Sequence, residues 1–129
     1  MHANVRFAPI PESAARARDF VEQTLRVWGC RELIDDARVV VTELVGNVVR
    51  HAGTDGWIDL ELLDERLRIA VVDHADGRVI LRAPDARAEV GRGLRLVEEL
   101  TDRWGVEQRP GEKCVWAEWR VAGRPSVRA

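Results

Sequence analysis

Hydrophobic and polar positions along the chain alternate with two different periods, and the changes of period mark the predicted elements. Asn4 to Ala8 alternates weakly and reads as an edge strand that Pro9 and Pro11 end. Phe20, Val21, Leu25 and Trp28 recur at helical spacing, which predicts a first helix from a Ser13 cap to about Trp28, stopped by Gly29. A second helix is predicted from about Ile34 to Ala52, with Val40, Val41, Leu44, Val45 and Val48 as a wide apolar stripe. Asp35 and Asp36 suit its first turn, Gly53 ends it, and Asp36, Glu43, Asn47, Arg50 and His51 fall on the polar side. Trp57 to Leu63 and Leu67 to Asp73 read as strands joined by Asp64-Glu65-Arg66. No period survives from His74 to Val90, which reads as a long loop of the kind that is usually functional or mobile. A third helix follows Gly91-Arg92-Gly93 and runs to about Arg103. Trp104 to Gln108 and Cys114 to Val121 then form a second hairpin around Arg109-Pro110-Gly111-Glu112. In its last strand Val115, Ala117, Trp119 and Val121 face one way, and Cys114, Trp116, Glu118 and Arg120 the other.

The order β, α, α, ββ, loop, α, ββ predicts an α+β two-layer sandwich: a mixed, mostly antiparallel sheet covered on one face by three helices. The 129 residues are expected to form one domain with its core over about 5–121 and a frayed tail at 122–129.

Composition narrows the function more than the fold. Twenty basic residues against 22 acidic ones leave a charge of −2, so the basic excess of a general nucleic-acid binder is absent and no direct nucleic-acid partner is expected. Every basic residue except Lys113 and the histidines is arginine, and Gly111-Glu112-Lys113-Cys114 does not fit a phosphate-binding GxxxxGK[ST] loop. Cys30 and Cys114 form no CxxC pair, and His2, His51 and His74 show no zinc spacing beside them. The N-terminal residues have no apolar leader pattern and no apolar run is long enough for a membrane span, so the expectation is a cytoplasmic protein with no membrane partner.

Three segments carry candidate chemistry. Glu43 and Asn47 are four residues apart, so both lie on one helical face. A carboxylate beside a neutral amide suits a Mg²⁺ site completed by phosphate oxygens: the amide ligates, and the acid orients or deprotonates a nucleophile. The same pair also reads as a solvated polar face. Ile69 to Val72 run into Asp73 at a strand end, where a carboxylate can accept from the exocyclic amine of adenine or simply begin a turn. Gly91-Arg92-Gly93-Leu94 opens a helix, and glycines there let backbone N–H groups approach phosphate or merely end a loop.

Taken in order, these segments resemble the N, G1 and G2 boxes of the GHKL (Bergerat-fold) ATPases, over about residues 5–121. Thr42 to Ala52 and Val115-Trp116-Ala117-Glu118 are similar to stand-alone anti-sigma-factor serine kinases. The resemblance implies ATP and Mg²⁺ as cofactors, Glu43 as catalytic base or positioning carboxylate, Asn47 as the metal ligand, and Asp73 as the adenine-amine acceptor. It implies Gly77 on the adenine side of the pocket, and Gly91, Arg92, Gly93 and Leu94 around the phosphates. Arg50 and His51 would meet phosphate or lid. The late-strand position that shares a water with the adenine-binding acid is matched to Cys114. Two departures are visible: Ala75 replaces a G1 glycine, and a cysteine stands where threonine is usual. The implied function is a serine protein kinase that binds a sigma factor and phosphorylates an anti-sigma-factor antagonist, with a homodimer left open. The alternative is a non-catalytic or nucleotide-sensing regulatory module with a degenerate ATP site.

Overall fold

The computed structural model describes residues 1–74 and 94–121. Gly77, Gly91, Arg92, Gly93, most of the expected loop and the expected tail lie outside the described residues. Strand β1 (His2–Phe7) is followed by helix α1 (Glu12–Val27), a 3-10 turn (Arg31–Leu33) and helix α2 (Ile34–Asn47), which continues as a π turn (Val48–Ala52). Strands β2 (Gly56–Leu63) and β3 (Arg66–Asp73) form one hairpin, residues 94–100 form helix α3, and β4 (Arg103–Arg109) and β5 (Glu112–Arg120) form the second hairpin. The sheet order is β1-β2-β3-β5-β4, and every pairing is antiparallel. The two-layer α+β architecture is therefore as expected, without the parallel share that a mixed sheet would carry among the described residues.

The helices pack on one face of the sheet. Ile58, Leu60, Leu67, Ile69, Val71, Ala117 and Trp119 point up from the strands, and Val21, Leu25, Val40, Val41, Leu44 and Val97 point down onto them. Helix α1 ends in a Schellman motif: the Cys30 N–H donates to the Leu25 carbonyl, the Gly29 N–H donates to the Arg26 carbonyl, and Gly29 takes φ 78. Its start differs from expectation. Pro11 occupies the cap position, and the buried Ser13 hydroxyl donates to the Ala8 carbonyl at 2.6 Å, tying the helix to the end of β1. Glu22 joins the two long helices by accepting from Arg26 and Arg38, both at 2.8 Å.

The first hairpin turns on Asp64 and Glu65 alone, with Asp64 at φ 55, so Arg66 belongs to the strand. In the second, Pro110 precedes Gly111 at φ 75, the residue order of a type II turn. Helix α3 stops at residue 100, and Arg103 already pairs with Glu118 as the first residue of β4.

Gly56 marks the tightest packing near the candidate site. A Cβ there would lie 2.6 Å from the Phe7 ring and 2.9 Å from the Val72 carbonyl oxygen. The backbone oxygen cannot rotate away, so Gly56→Ala is expected to lower unfolding stability by about 1–3 kcal/mol. Urea denaturation of the two proteins checks this, and an unchanged midpoint would contradict it.

Candidate functional site

The candidate site is built where α2 hands the chain to the sheet. The hydrophobic period continues through Val48, but after Asn47 the helix widens into a π turn that Gly53 closes at φ 69. Only residues 53–55 then separate it from Gly56, which pairs with Asp73, which in turn pairs with Lys113. The C-terminal end of α2, the end of β3 and the start of β5 therefore lie at one end of the sheet.

Among the described residues, three polar side chains are buried there. Asn47 is 5% exposed, Asp73 0% and Lys113 6%. Asp73 follows the alternation of Ile69 and Val71, so it points to the helix side, as does Lys113 with Val115 and Ala117. Directly paired residues of an antiparallel ladder hold their Cβ atoms about 4.5–5.5 Å apart. Burial pulls the Lys113 ammonium below the usual lysine range, and the Asp73 carboxylate opposes that fall.

The Asn47 amide oxygen accepts a hydrogen bond from Arg50 Nη2 at 3.0 Å. The guanidinium reaches back over Gly46, where a Cβ would meet Arg50 Nη1 at 3.0 Å. Glu43 is half-buried on α2, one turn before Asn47, and His51 is half-buried in the π turn. Leu94 begins the described part of α3, which brings Val97 into the core.

Cys114 is not part of this group. It pairs with Val72, and both fall on the face that no described helix covers, the helix-free face, beside Asp59, Arg68 and Ala70. Burial pushes its thiol up, as expected for a cysteine packed into a sheet surface. The residue opposite Asp73 on the site face is Lys113. The signal that would have found it is the strict two-residue alternation of β5, since Cys114 already shares its side with Trp116 and Glu118.

The helix-free face carries a separate polar layer. Arg66, Arg68 and Arg103 converge on the buried Glu118 at 3.2 to 3.4 Å. Arg68 and Arg103 also flank the Trp116 ring, while Arg6 lies over Trp57, which meets His74 edge-on. His74 thus turns away from the Asp73 side.

A family profile described as histidine kinase-like ATPase domain matches residues 7–119, nearly the whole described fold. The chain belongs to this family. It is 37% identical over 93 residues to an uncharacterised protein of Streptomyces coelicolor, covering 67% of this chain and 86% of that protein. Its fold is similar to the crystal structure of the RsbU and RsbW domains of Rv1364c from Mycobacterium tuberculosis, with a TM-score of 0.72 and 17% identity. That superposition covers 94% of this chain, which spans 32% of the larger one. Among the described residues of this histidine kinase-like ATPase domain, no helix is long and apolar enough to cross a membrane.

The donor set suits a magnesium nucleotide. A buried amide oxygen is a hard ligand for Mg²⁺, whose other positions waters and phosphate oxygens would fill, and a buried carboxylate at a strand end is an acceptor for an amine.

Proposed function

We propose that this chain is an ATP- and Mg²⁺-dependent serine protein kinase of the anti-sigma-factor type, which binds a sigma factor and phosphorylates an anti-sigma-factor antagonist. The observation that carries the reading is the burial of Asn47, Asp73 and Lys113 at one end of the sheet, in a chain of the histidine kinase-like ATPase family. The likeness to a structure containing an RsbW domain supports a regulatory setting of this kind.

In this reading Asp73 accepts from the adenine amine, and Asn47 turns its amide oxygen to Mg²⁺. The bound ion neutralises phosphate charge. Arg50 and His51, in the π turn just beyond Asn47, serve the phosphates, and Leu94 with Gly91, Arg92 and Gly93 has the role of cradling them. Gly77 borders the adenine. Glu43 orients the serine hydroxyl of the antagonist. Phosphoryl transfer depends on positioning and charge neutralisation, so a carboxylate that only orients the hydroxyl is adequate for that role.

Glu43→Ala is expected to slow transfer to the antagonist serine by about 10²–10⁴-fold. Nucleotide binding should stay within a few-fold of the wild type. The check is phosphate transfer to candidate antagonists alongside calorimetric titration, and equal transfer by both proteins would contradict the role.

One observation favours a second reading, a nucleotide-sensing module without transfer. The Arg50 guanidinium already donates to the Asn47 oxygen that the metal would use. Tight Mg²⁺-ATP binding with no transfer to any antagonist would select that reading.

A further inference from the structure

Lys113 has no role in the reaction as set out above, yet it is the buried cation of the site. Lysine is almost never fully buried unless paired, because its long stem normally carries the ammonium to water. Lys113 lies only two residues beyond Gly111 at a hairpin turn, a place from which a lysine reaches solvent easily. It is 6% exposed nonetheless, on the strand position registered with Asp73. The register sets a donor-only group opposite an acceptor-only group on one buried surface.

Adenine carries the complementary pattern. Its exocyclic amine is a donor, and two ring acceptors lie on either side of it: N1, bonded to the amine-bearing carbon, and N7, on the next ring carbon. We propose that Lys113 is a specificity-determining residue that donates to one of these ring nitrogens while Asp73 accepts from the amine. The base is then recognised at two atoms. This inference rests on the nucleotide-binding reading above and adds a second contact to it. A guanine presents a carbonyl where Asp73 needs a donor, so the pair selects ATP over GTP.

The test titrates the wild-type chain and Lys113→Met with ATP, GTP, 1-deaza-ATP and 7-deaza-ATP, using calorimetry. Methionine keeps most of the aliphatic stem, and thermal melting confirms that the variant is folded. The wild type is expected to bind one deaza analogue about 10- to 100-fold more weakly than ATP, and to discriminate against GTP. Lys113→Met is expected to bind ATP more weakly by the same factor and to show no additional loss on that analogue. Three results would overturn the inference while leaving nucleotide binding intact. One is equal wild-type affinity for ATP and both deaza analogues. Another is a variant that binds ATP as well as or better than the wild type, which would make Lys113 a plug in the amine's place. The third is a variant that weakens all four nucleotides by one common factor, the mark of a structural role. Absence of binding by the wild type to every nucleotide would instead overturn the underlying reading, and this inference with it.

Discussion

Trp119→Ala is expected to lower unfolding stability by about 3–5 kcal/mol, the largest single-residue effect on the fold proposed here. Trp119 is 4% exposed on the helix side of β5. Its indole N–H donates to the Leu100 carbonyl at 2.7 Å, the last residue of helix α3. The ring therefore both fills the core and satisfies a helix-end acceptor that a small side chain would leave open. Beside it the Arg120 N–H donates to the Asp102 carboxylate at 2.6 Å and the Asp102 N–H donates to the Glu118 carbonyl at 2.9 Å, so the junction of α3 with β4 is fastened at three points. Trp119→Phe keeps most of the ring volume and loses only the hydrogen bond, for a cost of about 1 kcal/mol. Chemical denaturation of both variants separates the two contributions. If alanine and phenylalanine cost the same, the packing argument fails.

The second large effect concerns the site. Asp73→Asn is expected to weaken ATP binding by about 10- to 100-fold. The side chain is fully buried, so the new amide cannot turn to water, and its NH₂ group confronts the amine of the base. The change also leaves the Lys113 ammonium opposite a neutral group. Calorimetric titration with Mg²⁺-ATP measures the loss, with thermal melting as a control for folding. Unchanged affinity in a folded variant would remove Asp73 from the site.

Much of this was legible in the chain because two periods rarely imitate each other. The alternation in β5 correctly sorted Val115, Ala117 and Trp119 from Trp116, Glu118 and Arg120. Gly29, Gly53 and Gly111 sit at positive φ where the pattern broke, since only glycine enters that region without strain. What failed were positions decided by a competing partner. Ser13 suits a helix cap, but its hydroxyl donates instead to the Ala8 carbonyl, and Pro11 takes the cap position. The π turn after Asn47 is invisible to a period of 3.6, because Val48 remains apolar and buried through the change.

The candidate site was legible in part for the same reasons. Asp73 is found at a strand end, as the run of Ile69 to Val72 implied, and Glu43 and Asn47 share α2. The register puts Cys114 opposite Val72, on the other face of the sheet from Asp73, because in a sheet neighbouring positions alternate sides. Opposite Asp73 it places Lys113, a residue the sequence had offered only as a poor phosphate-loop lysine. The contact from Arg50 to Asn47, with the guanidinium close over the bare Gly46, is one that no motif encodes.

The most direct test follows backbone amide chemical shifts of the whole chain as Mg²⁺-ATP is added. A nucleotide held at this end of the sheet should move the amides of Glu43 to Gly53, Asp73 and Glu112 to Val115, saturating together at one stoichiometric equivalent. Shifts confined to the opposite face around Arg68, Trp116 and Glu118, or no shifts at all, would contradict it.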